Sequence, residues 1–249
     1  MAIKGVTFDW WGTVVEIPAV RDIYDETMRE IRVDRAAEAL KAAGLPVSRR
    51  LLRRAYDAQT DLLLRTWNDL RDLSVEEQTR AYLGLLGVGE GEGREDLIRT
   101  LQDAFGSAIE ARLPALYPDI GETLRALRDR GYRTGLISNT GRTGGRFLRP
   151  VQDRLGIGGS LDVRIFSDEV GVRKPDRAIF QTALDKLSLA AEEVVHVGDD
   201  VVADIAGAKS IGMRAVWFNT GFWKDAKANR ADAEIRGHAE LPRLLEKWR

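Results

Sequence analysis

The chain has 249 residues, of which 44% are hydrophobic and 31% charged, the balance of a globular protein long enough to bury a substantial core. A formal net charge of -1 gives no electrostatic case for binding nucleic acid or an anionic membrane, and the absence of cysteine excludes disulfides, thiolate catalysis and cysteine metal sites. No apolar run is long enough to span a bilayer and the first residues lack a signal-peptide layout, so a cytoplasmic protein is expected.

Along the chain, the first element is a short apolar run, Ile3 to Phe8, that ends at a lone carboxylate, Asp9, followed by Trp10, Trp11, Gly12 and Thr13. From about Ile17 to Arg112 the apolar spacing is helical, with no convincing strand. Ser48 is positioned to cap a helix through Trp67, and Ser74-Val75-Glu76-Glu77 has capping-box spacing ahead of Ala81–Leu86. Gly87–Asp96 is glycine-rich, but its interleaved acids would repel a phosphate, so a flexible connection between helices is expected. Four short apolar runs follow: Arg133–Ile137, Val163–Phe166, Val194–Val197 and Arg214–Phe218. Helical patterns occupy Ile120–Arg130, Arg146–Leu155, Arg177–Leu187 and Asp204–Ile211. Such alternation predicts an α/β fold with an open, Rossmann-like parallel sheet and a helical block inserted between its first and second strands.

Ligands collect at the carboxyl ends of strands in open parallel sheets, and several of these strands end in reactive groups. The first ends at Asp9 and the second at Ser138-Asn139, while the third leads through Ser167 and Asp168 to Lys174-Pro175. The fourth runs into Gly198-Asp199-Asp200, with Asp204 close behind. Taken singly, Asp9 reads equally as a turn residue, Ser138-Asn139 as a cap and Lys174 as a solvated lysine. Asp199, Asp200 and Asp204 say more, because three acids so close repel unless a cation or a lysine balances them.

In this order the motifs resemble those of the haloacid dehalogenase-like (HAD) hydrolase superfamily. Asp9-x-x-Gly12-Thr13 is similar to its first motif, Ser138-Asn139 to the second, Lys174-Pro175 to the third, and Gly198-Asp199 with Asp204 to the fourth. The stretches LYPDIGETLRALRDRGYRTGLISN and HVGDDVVADIAGAKSIGMRAVWFNTG are similar beyond the motif letters. The resemblance implies a core domain of residues 1–16 and 113–249 and a helical cap domain of residues 17–112. It implies that Asp9 is the nucleophile of a covalent aspartyl intermediate, and that Ser138, Asn139, Lys174 and Trp11 meet the substrate. Mg²⁺ is expected on the Asp9 carboxylate, the main-chain carbonyl of Trp11 and Asp199, with Asp204 a further ligand or a supporting residue. Asp200 remains an alternative to Asp199. The expected partner is a small-molecule substrate, with no nucleic acid and no membrane, and the protein a monomer or a homodimer.

One position breaks the pattern. Phosphatases of this family carry a second aspartate two residues after the nucleophile, to protonate the leaving group; here that position is Trp11, whose indole only donates a hydrogen bond. General acid/base help is worth about 10²–10⁴ in rate. Three readings follow: a Mg²⁺-dependent phosphatase on a small phosphorylated metabolite, whose leaving group departs easily or whose proton comes from elsewhere, with Glu16 and Asp200 as conceivable sources; a 2-haloacid dehalogenase-like hydrolase, since halide needs no proton; or a catalytically weak or non-enzymatic binding protein. The three fourth-motif acids favour the first. Of the remaining residues, His196 is expected to be a satisfied sheet histidine and His238 to be exposed. The arginines at 49–54 and 65 offer an anion clamp but are expected to face solvent. Asn139–Arg146 lacks the ending of a nucleotide P-loop.

Overall fold

The computed structural model describes residues 2–17, 21–89, 94–224 and 226–248. Its centre is a six-stranded sheet, ordered β3-β2-β1-β4-β5-β6 and parallel at every pairing. The strands are β1 (Gly5–Phe8), β2 (Arg133–Ser138), β3 (Val163–Phe166), β4 (Val194–Gly198), β5 (Arg214–Phe218) and β6 (Ala233–Ile235). The first five follow the sequence expectation. The edge strand β6 does not: its three residues include one β-branched side chain, too little to register as a strand signal.

Side chains alternate across the sheet, as the strand period requires. Leu136, Val195, Val197, Val216 and Phe218 join one apolar cluster, while Ile137, Val194, Ala215 and Trp217 join another on the opposite face. Helices cover both faces, which is why the strands read as continuous apolar runs. A third apolar cluster belongs to the inserted helices α1 (Arg21–Ala42), α2 (Arg49–Asn68), α3 (Val75–Leu85) and α4 (Arg94–Gly106), with Leu40, Leu52, Tyr82 and Leu101 fully buried in it.

Local signals account for the helix starts. Ser48 caps α2, accepting from the Leu51 amide. At α3 the capping box closes from both sides: Ser74 Oγ accepts from the Glu77 amide at 3.2 Å, and the Ser74 amide donates to Glu77 Oε2 at 2.8 Å. Helix α4 begins at Arg94, so the tail of the expected glycine-rich connection is helical, and residues 90–93 lie outside the described residues. Beyond the insertion come α5 (Ile120–Asp129), α6 (Gly145–Arg154), the one-turn α7 (Ser167–Val170) and α8 (Arg177–Leu187). The helix expected at Asp204–Ile211 starts earlier, as a π-helical turn over Val201–Ala206 capped by Asp200, and continues as α9 (Gly207–Ser210). The chain closes with α10 (Leu241–Glu246).

His238, expected to be exposed, is fully buried. Its ring lies 4.3 Å from that of Phe218, and Nδ1 is 3.3 Å from Asp119 Oδ1. The polar letters around it hid the fact that Leu241 and Leu245 of α10 dock this segment on the core.

Because Leu101 is fully enclosed in the cluster of α1–α4, Leu101→Ala should cost about 2–5 kcal/mol in a denaturant titration. Ser74→Ala, which removes only the cap, should cost about 1 kcal/mol.

Candidate active site

Parallel pairing brings the tips of β1, β2 and β4 together, because each strand runs in the same direction from a common edge. Asp9 follows β1 directly, and its amide is fixed by the Val197 carbonyl of β4 at 2.9 Å. Gly12 then turns the chain at φ +80°, where a Cβ would lie 2.6 Å from Asp199 Oδ2. Only glycine lets the first motif approach the fourth so closely. At the end of β4, a Cβ on Gly198 would fall 2.2 Å from Asp204 Cγ.

Asp9, Asp199 and Asp204 are all buried, and each offers one carboxylate oxygen within 4.8 Å of the others. One lysine stands among them. Lys174 Nζ, 1% exposed, donates to Asp9 Oδ1 at 2.5 Å and to Asp204 Oδ1 at 2.6 Å. The Asn139 amide holds the lysine's backbone: Oδ1 accepts from Lys174 N at 2.8 Å, and Nδ2 donates to the Lys174 carbonyl at 3.0 Å. The resemblance makes Asn139 a substrate contact; in the structure it lies on the cavity wall while its amide positions Lys174.

His196, on the strand below, meets Asp204 Oδ1 through Nε2 at 3.2 Å and Thr7 Oγ1 through Nδ1 at 2.9 Å. A carboxylate only accepts, so Nε2 carries the proton and Nδ1 accepts from the threonine hydroxyl. Burial holds the imidazole below its ordinary pKa, so it is a neutral sheet histidine that steadies Asp204. The second oxygen of Asp204 accepts from the Asp200 amide at 3.0 Å. Asp200 itself turns away to cap the π-helical turn, accepting from Val202 N and Ala203 N. Asp199 therefore faces the cluster and Asp200 does not.

Three carboxylates against one lysine leave the cluster short of positive charge. Burial pushes Asp9 up to about 8, against the pull of Lys174, and Asp199 up to about 7. Asp204 is held well below the usual carboxylate range, because Lys174 and His196 outweigh its burial. Protons on Asp9 and Asp199 thus do what a cation would do, and the all-oxygen donor set fits a hard divalent ion. Trp223 and Trp217 complete the surroundings of Asp199: Trp223 Nε1 donates to Oδ2 at 2.8 Å, and Trp217 Nε1 to the main-chain carbonyl at 2.9 Å. Sequence reasoning missed Trp223, which lies more than twenty residues beyond the motif.

The cluster opens into a cavity of about 430 Å³ between the strand tips and the inserted helices. Trp11 is half-buried on its wall, edge-on to the fully buried Trp10 at 6.2 Å. Ser138 is fully buried and is not on the cavity wall; its hydroxyl donates to the Asn139 carbonyl at 3.3 Å. Among carboxylates outside the cluster, Asp25 of α1 and Asp200 line the cavity, whereas Glu16 does not. The arginines at 49–54 and 65 are absent from the wall, and Arg49 and Arg53 pair with Glu30 on the surface. The wall instead carries Arg32, Arg142 and Arg173, none of which stood out in the sequence.

The chain resembles known proteins in sequence and in fold. The chain is 36% identical over 163 residues to the ribulose-1,5-bisphosphate 5-phosphatase of Halopiger xanaduensis, a match covering 65% of this chain and 66% of that one. The chain spans roughly half to two thirds of the length of the curated relatives it matches. A HAD phosphatase from Thermococcus onnurineus superposes with a TM-score of 0.61 at 26% identity over 98% of both chains. A 2-haloacid dehalogenase from Pseudomonas syringae pv. Tomato shares the fold, with a TM-score of 0.70 at 24% identity over 99% of this chain and 100% of that one. The family model of haloacid dehalogenase-like hydrolases matches residues 3–212, and the chain belongs to that family.

Proposed function

We propose that the protein is a Mg²⁺-dependent phosphatase of a small phosphorylated metabolite, acting through a covalent intermediate on Asp9. The observation that carries this reading is the buried triad of Asp9, Asp199 and Asp204 with a single lysine, opening into a cavity. The phosphatase activities named for its relatives support it. Residues 1–16 and 113–249 would act as the core domain and residues 17–112 as a cap over the site.

Mg²⁺ would be held by the Asp9 carboxylate, the Trp11 carbonyl and Asp199. When bound, it neutralises the crowded acids and the phosphoryl oxygens. Asp204, whose oxygens are taken by Lys174, His196 and the Asp200 amide, fits a supporting role. Lys174 occupies Asp9 Oδ1 and leaves Oδ2 to attack phosphorus. The phosphorus–oxygen bond to the leaving group breaks, and the phosphoryl group passes to Asp9. Water then hydrolyses the aspartyl phosphate, releasing inorganic phosphate and restoring the carboxylate. The Lys174 ammonium faces the charge that develops in both steps. To reach a phosphoryl oxygen, the Ser138 hydroxyl must turn away from the Asn139 carbonyl. With Trp11 at the acid position, the first step suits a leaving group that departs without a proton, such as an acyl or aryl oxygen.

A second reading, 2-haloacid dehalogenation, is favoured by Trp11 alone, because halide departure needs no proton. A hydrolysis screen of phosphate esters, acyl phosphates and 2-haloacids, with and without Mg²⁺, separates the two. Mg²⁺-dependent release of phosphate, abolished in Asp9→Asn, is expected. Metal-independent halide release with no phosphate release would replace the phosphatase reading with the dehalogenase.

The raised pKa of Asp9 sets a pH dependence. Folded Asp9 keeps its proton up to about pH 8, whereas the unfolded chain loses it near 3.8, so the metal-free fold loses stability across that interval. In metal-free thermal unfolding, Asp9→Asn should melt above wild type. The gap should open from about pH 4 and level off near pH 8. At pH 8, millimolar Mg²⁺ should raise the wild-type midpoint, and Asp199→Asn should blunt that rise.

Trp11→Asp should restore proton transfer. Turnover of alkyl phosphates should rise, by no more than about 10²–10⁴, with a much smaller rise on aryl or acyl phosphates. A folded, Mg²⁺-binding variant with no such selectivity would rule out a phosphatase that lacks only its acid.

A further inference from the structure

Besides the carboxylate cluster, the cavity wall carries two guanidinium groups from distant parts of the chain, Arg32 on α1 and Arg142 in the loop after β2. Both converge on Tyr56 of α2. Arg32 Nη1 donates to the Tyr56 hydroxyl at 3.2 Å, its Nε to the Phe105 carbonyl at 3.2 Å and its Nη2 to Thr143 Oγ1 at 2.9 Å. Arg142 lies over the Tyr56 ring, 3.6 Å from its centroid. Its Nη2 donates to the Tyr56 carbonyl at 2.8 Å and to Thr60 Oγ1 at 2.6 Å, and its Nη1 to Gln59 Oε1.

Every acceptor in this set is neutral. Among the described residues neither arginine forms an ion pair with a carboxylate, whereas Arg173 on the same wall is paired with Asp72 at 2.6 Å. Arg32 is 8% exposed. Burial, with the charge of Arg32 adding to it, pushes the Arg142 guanidinium down to about 10. Neutral acceptors orient a guanidinium but leave its charge uncompensated, and two such charges around one tyrosine repel each other. A guanidinium has five N–H donors, so two remain on each arginine after the bonds named above.

We propose that Arg32 and Arg142 form a subsite for a second anionic group on the substrate, a carboxylate or a phosphate. The molecule accepted is then a small phosphate ester with an anionic tail, its reacting phosphate at Asp9 and Lys174 and its tail on the two guanidinium groups. This rests on the phosphatase reading for the first phosphate, but the charge argument for the tail stands on the arginines alone. A cavity of about 430 Å³ suits a molecule of a few carbon atoms, being at the small end of ligand cavities. A substrate with a neutral tail would leave the pair buried and unneutralised. Hydrogen bonds to charged groups contribute about 1.5–3 kcal/mol, so the preference for an anionic tail should be tenfold or more.

The test is binding, read without turnover. In the full-length Asp9→Asn protein with Mg²⁺, calorimetry compares 2-phosphoglycolate with ethyl phosphate, which has the same chain length and no second charge. Phosphoglycolate should bind at least tenfold more tightly, and adding Arg142→Met or Arg32→Met should shrink the preference below threefold. Equal binding of the two esters by Asp9→Asn overturns the subsite before any arginine is changed, as does failure to bind either. So does a preference that survives both arginine substitutions in proteins that still unfold cooperatively. Hydrolysis by the wild type is scored separately. Hydrolysis without charge preference sinks the subsite and spares the phosphatase reading, and a preference lost with the arginines in an enzyme that releases no phosphate does the reverse.

Discussion

Lys174 holds the site together. Its ammonium lies between Asp9 and Asp204 at 2.5 and 2.6 Å, with its side chain almost wholly buried at the foot of the cavity. Removing the lysine would leave buried acids facing one another with no cation between them, which is more damaging than losing a surface contact. The fold therefore commits several groups to holding this lysine. Asn139 clasps its backbone from the tip of β2, and the preceding Arg173 is fixed by Asp72, by the Thr140 carbonyl and by stacking on Trp67. His196 and the Asp200 amide hold Asp204 from the far side. Three strands and two loops are thereby bound to one nitrogen.

The same network reaches into the inserted helices. Asp72, in the turn between α2 and α3, has a fully buried side chain and accepts from Arg173, Ser167, Thr140 and Trp67. The backbone joins in, with Asp72 N donating to the Gly171 carbonyl at 3.1 Å and Arg173 N to the Leu70 carbonyl at 2.9 Å. The helical insertion is thus pinned at one point to the loop that carries Lys174. Breaking that contact would strand a buried carboxylate. Arg32 and Arg142, which bridge α1 and α2 to the loop after β2 through neutral acceptors, make the weaker contact.

How much of this could be read from the sequence follows from distance along the chain. Asp9, Asn139 and Asp199 were legible because each stands at or just past a strand, and a parallel sheet gathers strand tips whatever else the chain does; Lys174, beyond α7, was legible only through the resemblance of Lys174-Pro175 to the family's third motif. The capping signals at Ser48 and Ser74 were legible because a cap is a matter of neighbouring residues. The guanidinium groups at Arg32 and Arg142 were not. They come from a helix and a loop more than a hundred residues apart, in a chain rich in arginine, and only the packing of α1 and α2 against the β2 loop separates them from Arg49 or Arg53 on the surface. His238 failed for the converse reason: its polar neighbours suggested solvent, while the apolar stripe of α10 that buries it lies a few residues on.

On the proposed mechanism, Trp11 would divide the chemistry of the site into two parts. In the mechanism proposed above, attack would depend on Asp9, its lysine and the charge around Asp199, all set by strand tips and by the glycines that let them approach. Departure of the leaving group would depend on what occupies the position of Trp11, on a turn whose other tryptophan, Trp10, is fully buried and edge-on to it. The indole keeps the wall apolar where a carboxylate would add a further negative charge to a cluster already short of cations. On the proposed reading, an aromatic group in place of an acid here would relieve repulsion among the acids and narrow the leaving groups to those that need no proton. Selectivity for the tail of the substrate would then be carried by positive charge on the wall, and selectivity for its leaving group by the absence of an acid.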